Sequence, residues 1–109
     1  MALTTNTITQ SGGVANYATG YVVTDGGTAA DTTFTIGFVP RKVRFVNLTD
    51  RITDEWYTGM AAYSSLHAVA AGTQTLETTN GISVGTDGTF TVKAASIPAS
   101  KTLAWEAVG

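Results

Sequence analysis

The residues best suited to chemistry are few. His67 is the only histidine, and it follows Ser64-Ser65-Leu66. A catalytic histidine needs an orienting carboxylate and a nucleophile placed by the fold, and no such spacing surrounds it. In an Ala-rich run it reads as a packing or surface residue. One histidine without any cysteine also leaves too few nitrogen or sulfur ligands for a metal centre. Asp50, Asp54 and Glu55 gather around Arg51. Paired carboxylates could hydrolyse a glycoside, and oxygen ligands could hold calcium. If the segment is a strand, however, residues two apart share a face. Asp54 then lies with Ile52 and Trp56, and Glu55 with Thr53 and Tyr57, so the acids are divided. Ion pairing and turn capping are the expected roles. Gly26-Gly27 and Gly81-Ile82-Ser83-Val84-Gly85 lack the Lys-Ser/Thr ending of a phosphate loop. Trp56, Tyr57, Tyr63, Tyr17 and Tyr21 could form a platform for sugar rings, but Trp56 as a core residue with tyrosines at its rim is the commoner arrangement. No catalytic residue, cofactor or metal is expected.

The elements around these residues read as all-β. Threonine is about a fifth of the chain, beside many Val, Ile and aromatic residues, which suit a pleated half-buried surface. Phe34, Ile36 and Phe38 alternate with Thr33, Thr35 and Gly37. Pro40 lacks a ladder donor and marks a corner or edge. Val43 and Phe45 alternate with Lys42 and Arg44, after which apolar character changes parity to Val46 and Leu48. That change predicts a bulge or a strand buried on both faces. Phe90, Val92 and Ala94 form another alternating set, as do Leu103, Trp105 and Ala107. Asp87-Gly88 is a favoured hairpin turn pair. Residues 60–71 fit either a short helix closed by Gly72 or a strand and loop. The expected fold is an antiparallel β-sandwich or jelly-roll-like barrel, in one domain spanning residues 1–109. Residues 1–13 are either a frayed terminus or an extended arm that adds a strand to a neighbouring subunit.

Composition favours partners of a particular kind. Only 13% of the 109 residues are charged and the net charge is −2. The basic residues are scattered apart from Arg41, Lys42 and Arg44, so no stripe exists to release counterions, and nucleic acid is disfavoured. No signal peptide or membrane-spanning run is evident, so synthesis as a soluble cytoplasmic product is expected. A small core without disulfides, under a weakly charged surface, points to oligomerisation and protein contacts.

Several strings look familiar together. They are Gly37-Phe38-Val39-Pro40-Arg41-Lys42-Val43, Asn47-Leu48-Thr49-Asp50-Arg51 and Glu55-Trp56-Tyr57-Thr58-Gly59-Met60, followed by Asn80-Gly81-Ile82 and Leu103-Ala104-Trp105-Glu106-Ala107. The set resembles small bacteriophage virion structural proteins, specifically capsid decoration (head cement) proteins. The resemblance implies a β-sandwich on the outside of a capsid, often trimeric at local three-fold positions. Its partner would be the major capsid protein, which it would stabilise against internal pressure. Similar Gly-Phe-x-Pro-Arg/Lys-x-Val openings occur in tail and fibre proteins, so a carbohydrate- or receptor-binding β module is the alternative. The structural or interface candidates are Phe38, Pro40, Arg41, Asn47, Asp50, Arg51, Trp56, Tyr57 and Trp105. Pro40 would set a corner, Asn47 and Asp50 a self-satisfied turn, and Arg51 would pair with either acid. The two tryptophans would anchor sheets or a subunit contact.

Overall fold

A computed structural model describes residues 16–109. Its strands are β1 (Tyr17–Val23), β2 (Thr32–Thr35), β3 (Lys42–Asn47), β4 (Ile52–Tyr57), β5 (Ser64–Ala68), β6 (Gln74–Val84), β7 (Thr89–Val92) and β8 (Thr102–Val108). They form one eight-stranded sheet in the order β1-β8-β3-β4-β5-β6-β7-β2. All seven pairings are antiparallel. The sheet curls strongly into a half-barrel, which places the all-β fold on the barrel side of the expected architectures. Among the described residues the helical content is a 3-10 turn at Ala94–Ser96, and no helix is long and apolar enough to cross a membrane.

Alternation decides which side of the curl each residue faces. Val43, Phe45, Trp56, Ile82, Phe90, Val92, Leu103 and Ala107 line the concave side and, with Ile97 from the β7–β8 connection, make the core. Phe34 of the edge strand β2 reaches across the hollow. Its ring lies 5.1 Å from Phe90, 5.6 Å from Trp105 and 6.0 Å from Phe45. Phe90 and Trp105 meet edge to face at 5.1 Å. These offset and tilted contacts suit the ring quadrupoles and tie the two halves of the curl together. The expected inward sets Phe34-Ile36-Phe38 and Leu103-Trp105-Ala107, with Phe90 and Val92, pack in or against this core, whereas Ala94, expected to continue the Phe90-Val92 set, lies past the end of β7 in the 3-10 turn.

Four expectations need correction or placement. Residues 60–71 contain no helix; Ser64–Ala68 are β5, entered through Tyr63 at φ 61° and left through a turn with Gly72 at φ 92°. The strand wins because Ser65 and His67 face inward to a buried carboxylate, while Leu66 and Ala68 face out. The parity change in β3 is neither a bulge nor double burial. Its register with β4 and β8 is continuous, and Val46 and Leu48 lie on the convex side, Leu48 at 47% exposure. The turn at 85–88 sits where Asp87-Gly88 predicts it, but only Gly88 takes positive φ, at 85°. The proposed arm at residues 1–13 lies outside the described residues.

Candidate interaction surface

Cross-strand register assembles the convex face into rungs. One rung runs Tyr21, Ala104, Val46, Thr53 and Ala68, with no charge along it. The next runs Thr19, Glu106, Arg44, Glu55, Leu66 and Leu76, with one cation set between two acids. The Arg44 Nε lies 3.9 Å from Glu55 Oε1. Tyr17, Val108, Lys42 and Tyr57 make a third. Large apolar or aromatic residues stand open here: Tyr21 at 71%, Val23 and Leu76 at 67%, and Tyr17 at 56%. Arg44, Val46, Leu48, Ala104 and Glu106 border a shallow depression of about 310 Å³ within it. Contiguous apolar surface of this kind, with balanced charges, is the chemistry of a protein contact.

Two tyrosines on this face are tied to acids. Tyr17 donates its hydroxyl to Glu106 at 2.9 Å, and Tyr57 donates to Glu55. Each bond holds the phenolic proton, so both groups ionise above the ordinary tyrosine range.

The concave side carries a polar cluster that sequence reasoning missed. Asp54 is only 3% exposed. Its Oδ1 accepts Ser65 Oγ at 2.8 Å and lies 2.8 Å from His67 Nδ1. Asp54 and His67 are register partners, 13 residues apart. The usable signal was period two: Ser65 and His67 share a face once 64–68 is read as a strand, as Asp54 and Trp56 do in β4. Serine and histidine both address the carboxylate rather than each other. The hydroxyl is therefore not aimed at the imidazole, which nucleophilic activation requires. The cluster's evident work is to clip β4 to β5 while satisfying a buried charge. Among the described residues no group of three or more His, Cys, Asp or Glu gathers as a metal site.

The remaining candidates divide between turns and core. Pro40 is buried two residues before β3, in the connection from β2. Phe38 packs against the core. The Arg41 backbone bonds Val108 and Thr58 at 2.7 Å each, tying β3's start to β8 and to the end of β4. Asp50 N–H donates to Asn47 Oδ1 at 2.9 Å, and Asn47 Nδ2 donates to Asp50 Oδ2 at 3.0 Å, a turn that satisfies itself as expected. The cation on Asp50 is Lys101 at 3.0 Å, not Arg51, which is exposed in the left-handed region at φ 57°. Among the described residues Arg51 forms no ion pair with either acid, contrary to expectation. Trp56 is a core residue at 7% exposure, its Nε1 without a hydrogen-bond partner among the described residues, so it is no part of a sugar platform. Tyr57 is 42% exposed on the convex side. Trp105 lies inside, over Gly20, where an added Cβ would stand 2.1 Å from its Nε1. No protein-family model, no curated protein and no solved structure matches this chain.

Proposed function

We propose that the chain is a non-enzymatic structural protein of a phage virion, seated on the capsid exterior and stabilising the shell through protein contacts. The observation that carries this reading is the convex face of β1, β8, β3 and β4. It is a broad surface on which Tyr21, Val23, Val46 and Leu48 form an apolar field, and on which the charges of Glu106 and Glu55 are balanced by Arg44 and Lys42. The parity change at Val46 and Leu48 has no use in the core of this domain, so its use is outside. The assignment to phage heads rests on the sequence resemblance, and the face supplies the means of attachment. A shell stabilised this way gains from many modest contacts rather than a single pocket.

The test is co-sedimentation of the purified chain with phage heads that lack it. Saturable pelleting and a higher temperature of head rupture are expected for the wild type. Val46→Glu combined with Leu48→Glu should lose both while the isolated variant stays folded. Binding to isolated tails alone would move the assignment to the tail, with a carbohydrate or receptor surface as its partner. Absence of binding to either would overturn the virion reading.

A further inference from the structure

Among the described residues the sheet does not close, and β1 is one of its two edges. Gly109 N donates to Asn16 O at 2.8 Å and Thr24 N to Lys101 O at 2.9 Å, which fixes the phase of the ladder with β8. Even-numbered residues of β1 therefore turn their N–H and C=O toward β8, and Tyr17, Thr19, Tyr21 and Val23 turn theirs outward. Among the described residues those outward groups have no backbone partner.

Open edges are normally blunted by brevity, a charge, a proline or a bulge. The β1 edge has none of these. It is seven residues long, Tyr-Ala-Thr-Gly-Tyr-Val-Val, in unbroken register. The other edge, β2, has four residues and folds its Phe34 across the hollow. Tyr17, Tyr21 and Val23, among the most exposed large residues described, all stand on β1.

We propose that β1 is a homodimer seam, pairing antiparallel with β1 of a second copy about a two-fold axis at Gly20. In this register Tyr17 faces Val23 of the second copy and Thr19 faces its Tyr21, so every outward N–H and C=O finds a partner. The main-chain pattern is self-complementary only for an antiparallel copy of itself in this phase. The absence of charge on β1 means that no like charges meet across the axis. Gly20 brings no side chain to the point where the strands come nearest. On the convex side the pairing sets tyrosine and valine against each other as cross-strand neighbours and doubles the apolar field continuously. The seam departs from the three-fold arrangement that the resemblance implies. It does not depend on the virion reading: a chain that dimerises through β1 yet ignores phage heads overturns the function and leaves the seam standing.

Sedimentation velocity over a range of concentrations tests it. The full chain should sediment at twice its mass and dissociate on dilution. Thr19→Pro removes an outward N–H without touching the β8 ladder, and proline is tolerated on an edge of this kind. That variant should be monomeric with an unchanged far-ultraviolet spectrum. A wild-type monomer at the highest concentration overturns the proposal, whether the edge is open or covered by residues 1–15 of the same chain. So does a trimer, or a dimer that survives Thr19→Pro. Because the chain has no cysteine, register can be read independently. An oxidised mixture of Thr19→Cys and Tyr21→Cys chains should link to each other, and neither should link to itself as readily. Failure to link, or equal self-linking, contradicts the register even if the proline variant misfolds.

Discussion

Asp54 shows how a single buried carboxylate organises its neighbourhood. A charge taken out of water is tolerated only with strong partners, and Ser65 and His67 are those partners. Asp54→Ala is expected to destabilise the domain by about 3 kcal/mol, since it removes two charge-assisted bonds and strands a buried hydroxyl. Urea unfolding measures this, and a loss below about 1 kcal/mol would show that the clip is dispensable. Other acids respond to pH in a defined direction. Backbone N–H groups of Thr79 and Thr78 hold the Glu77 carboxyl below its usual range, the Ala94 N–H does so for Asp31, and the Thr89 hydroxyl for Asp87. A depressed folded pKa means that the unfolded chain binds protons first as pH falls. Their stabilisation is therefore complete above the ordinary carboxylate range and is lost as pH drops through the lower folded values. Asp31 and Asp87 are exposed and Glu77 is only half-buried, so the effect should be small and salt-sensitive. Carboxyl NMR titration should find each midpoint below that of an unstructured peptide, and Thr89→Ala should return Asp87 toward the peptide value.

The junction of β5 and β6 is the element whose geometry is least forgiving. Ser64 pairs with Ile82 but Ser65 with Glu77, so residues 78–81 loop out of the ladder. The Glu77 carboxylate caps that loop through Thr78 N–H and Thr79 N–H at 3.0 and 3.3 Å. Gly81 closes it so tightly that an added Cβ would stand 2.5 Å from the Ser64 carbonyl carbon. Backbone cannot yield as a side-chain tip can, so Gly81→Ala should cost about 3 kcal/mol, as overpacking does in a core. Calorimetry checks this, and an unchanged Tm would mean that the bulge is pliable. Such a bulge was not legible in the sequence, because nothing local in Thr78-Thr79-Asn80 announces a register shift. Strand existence was legible wherever period two was sustained, as in Phe90-Val92 and Leu103-Trp105-Ala107. It was ambiguous at 60–71, where short apolar residues fit both periods and only the partners of Ser65 and His67 decide. The division of Asp54 from Glu55 could be read from parity alone. The meeting of Asp54 with His67 could not, because it depends on the register between two strands.

At the scale of the molecule, an open half-barrel has a filled hollow, a convex face and two edges, and the face is the part proposed for assembly. Val46→Glu with Leu48→Glu tests whether that face is independent of folding. Convex positions away from the core should change stability by less than about 1 kcal/mol together, which chemical denaturation resolves. A much larger loss would make the face part of the fold rather than free for a partner. The proposed place of that face is the outside of a phage head, where it would meet the shell. The most direct measurement is a cryo-microscopy map of particles carrying this chain. Repeated half-barrel density is expected on the head exterior, with β8 and β3 turned toward the shell. Density confined to the tail, or particles from which the chain is absent, would contradict it.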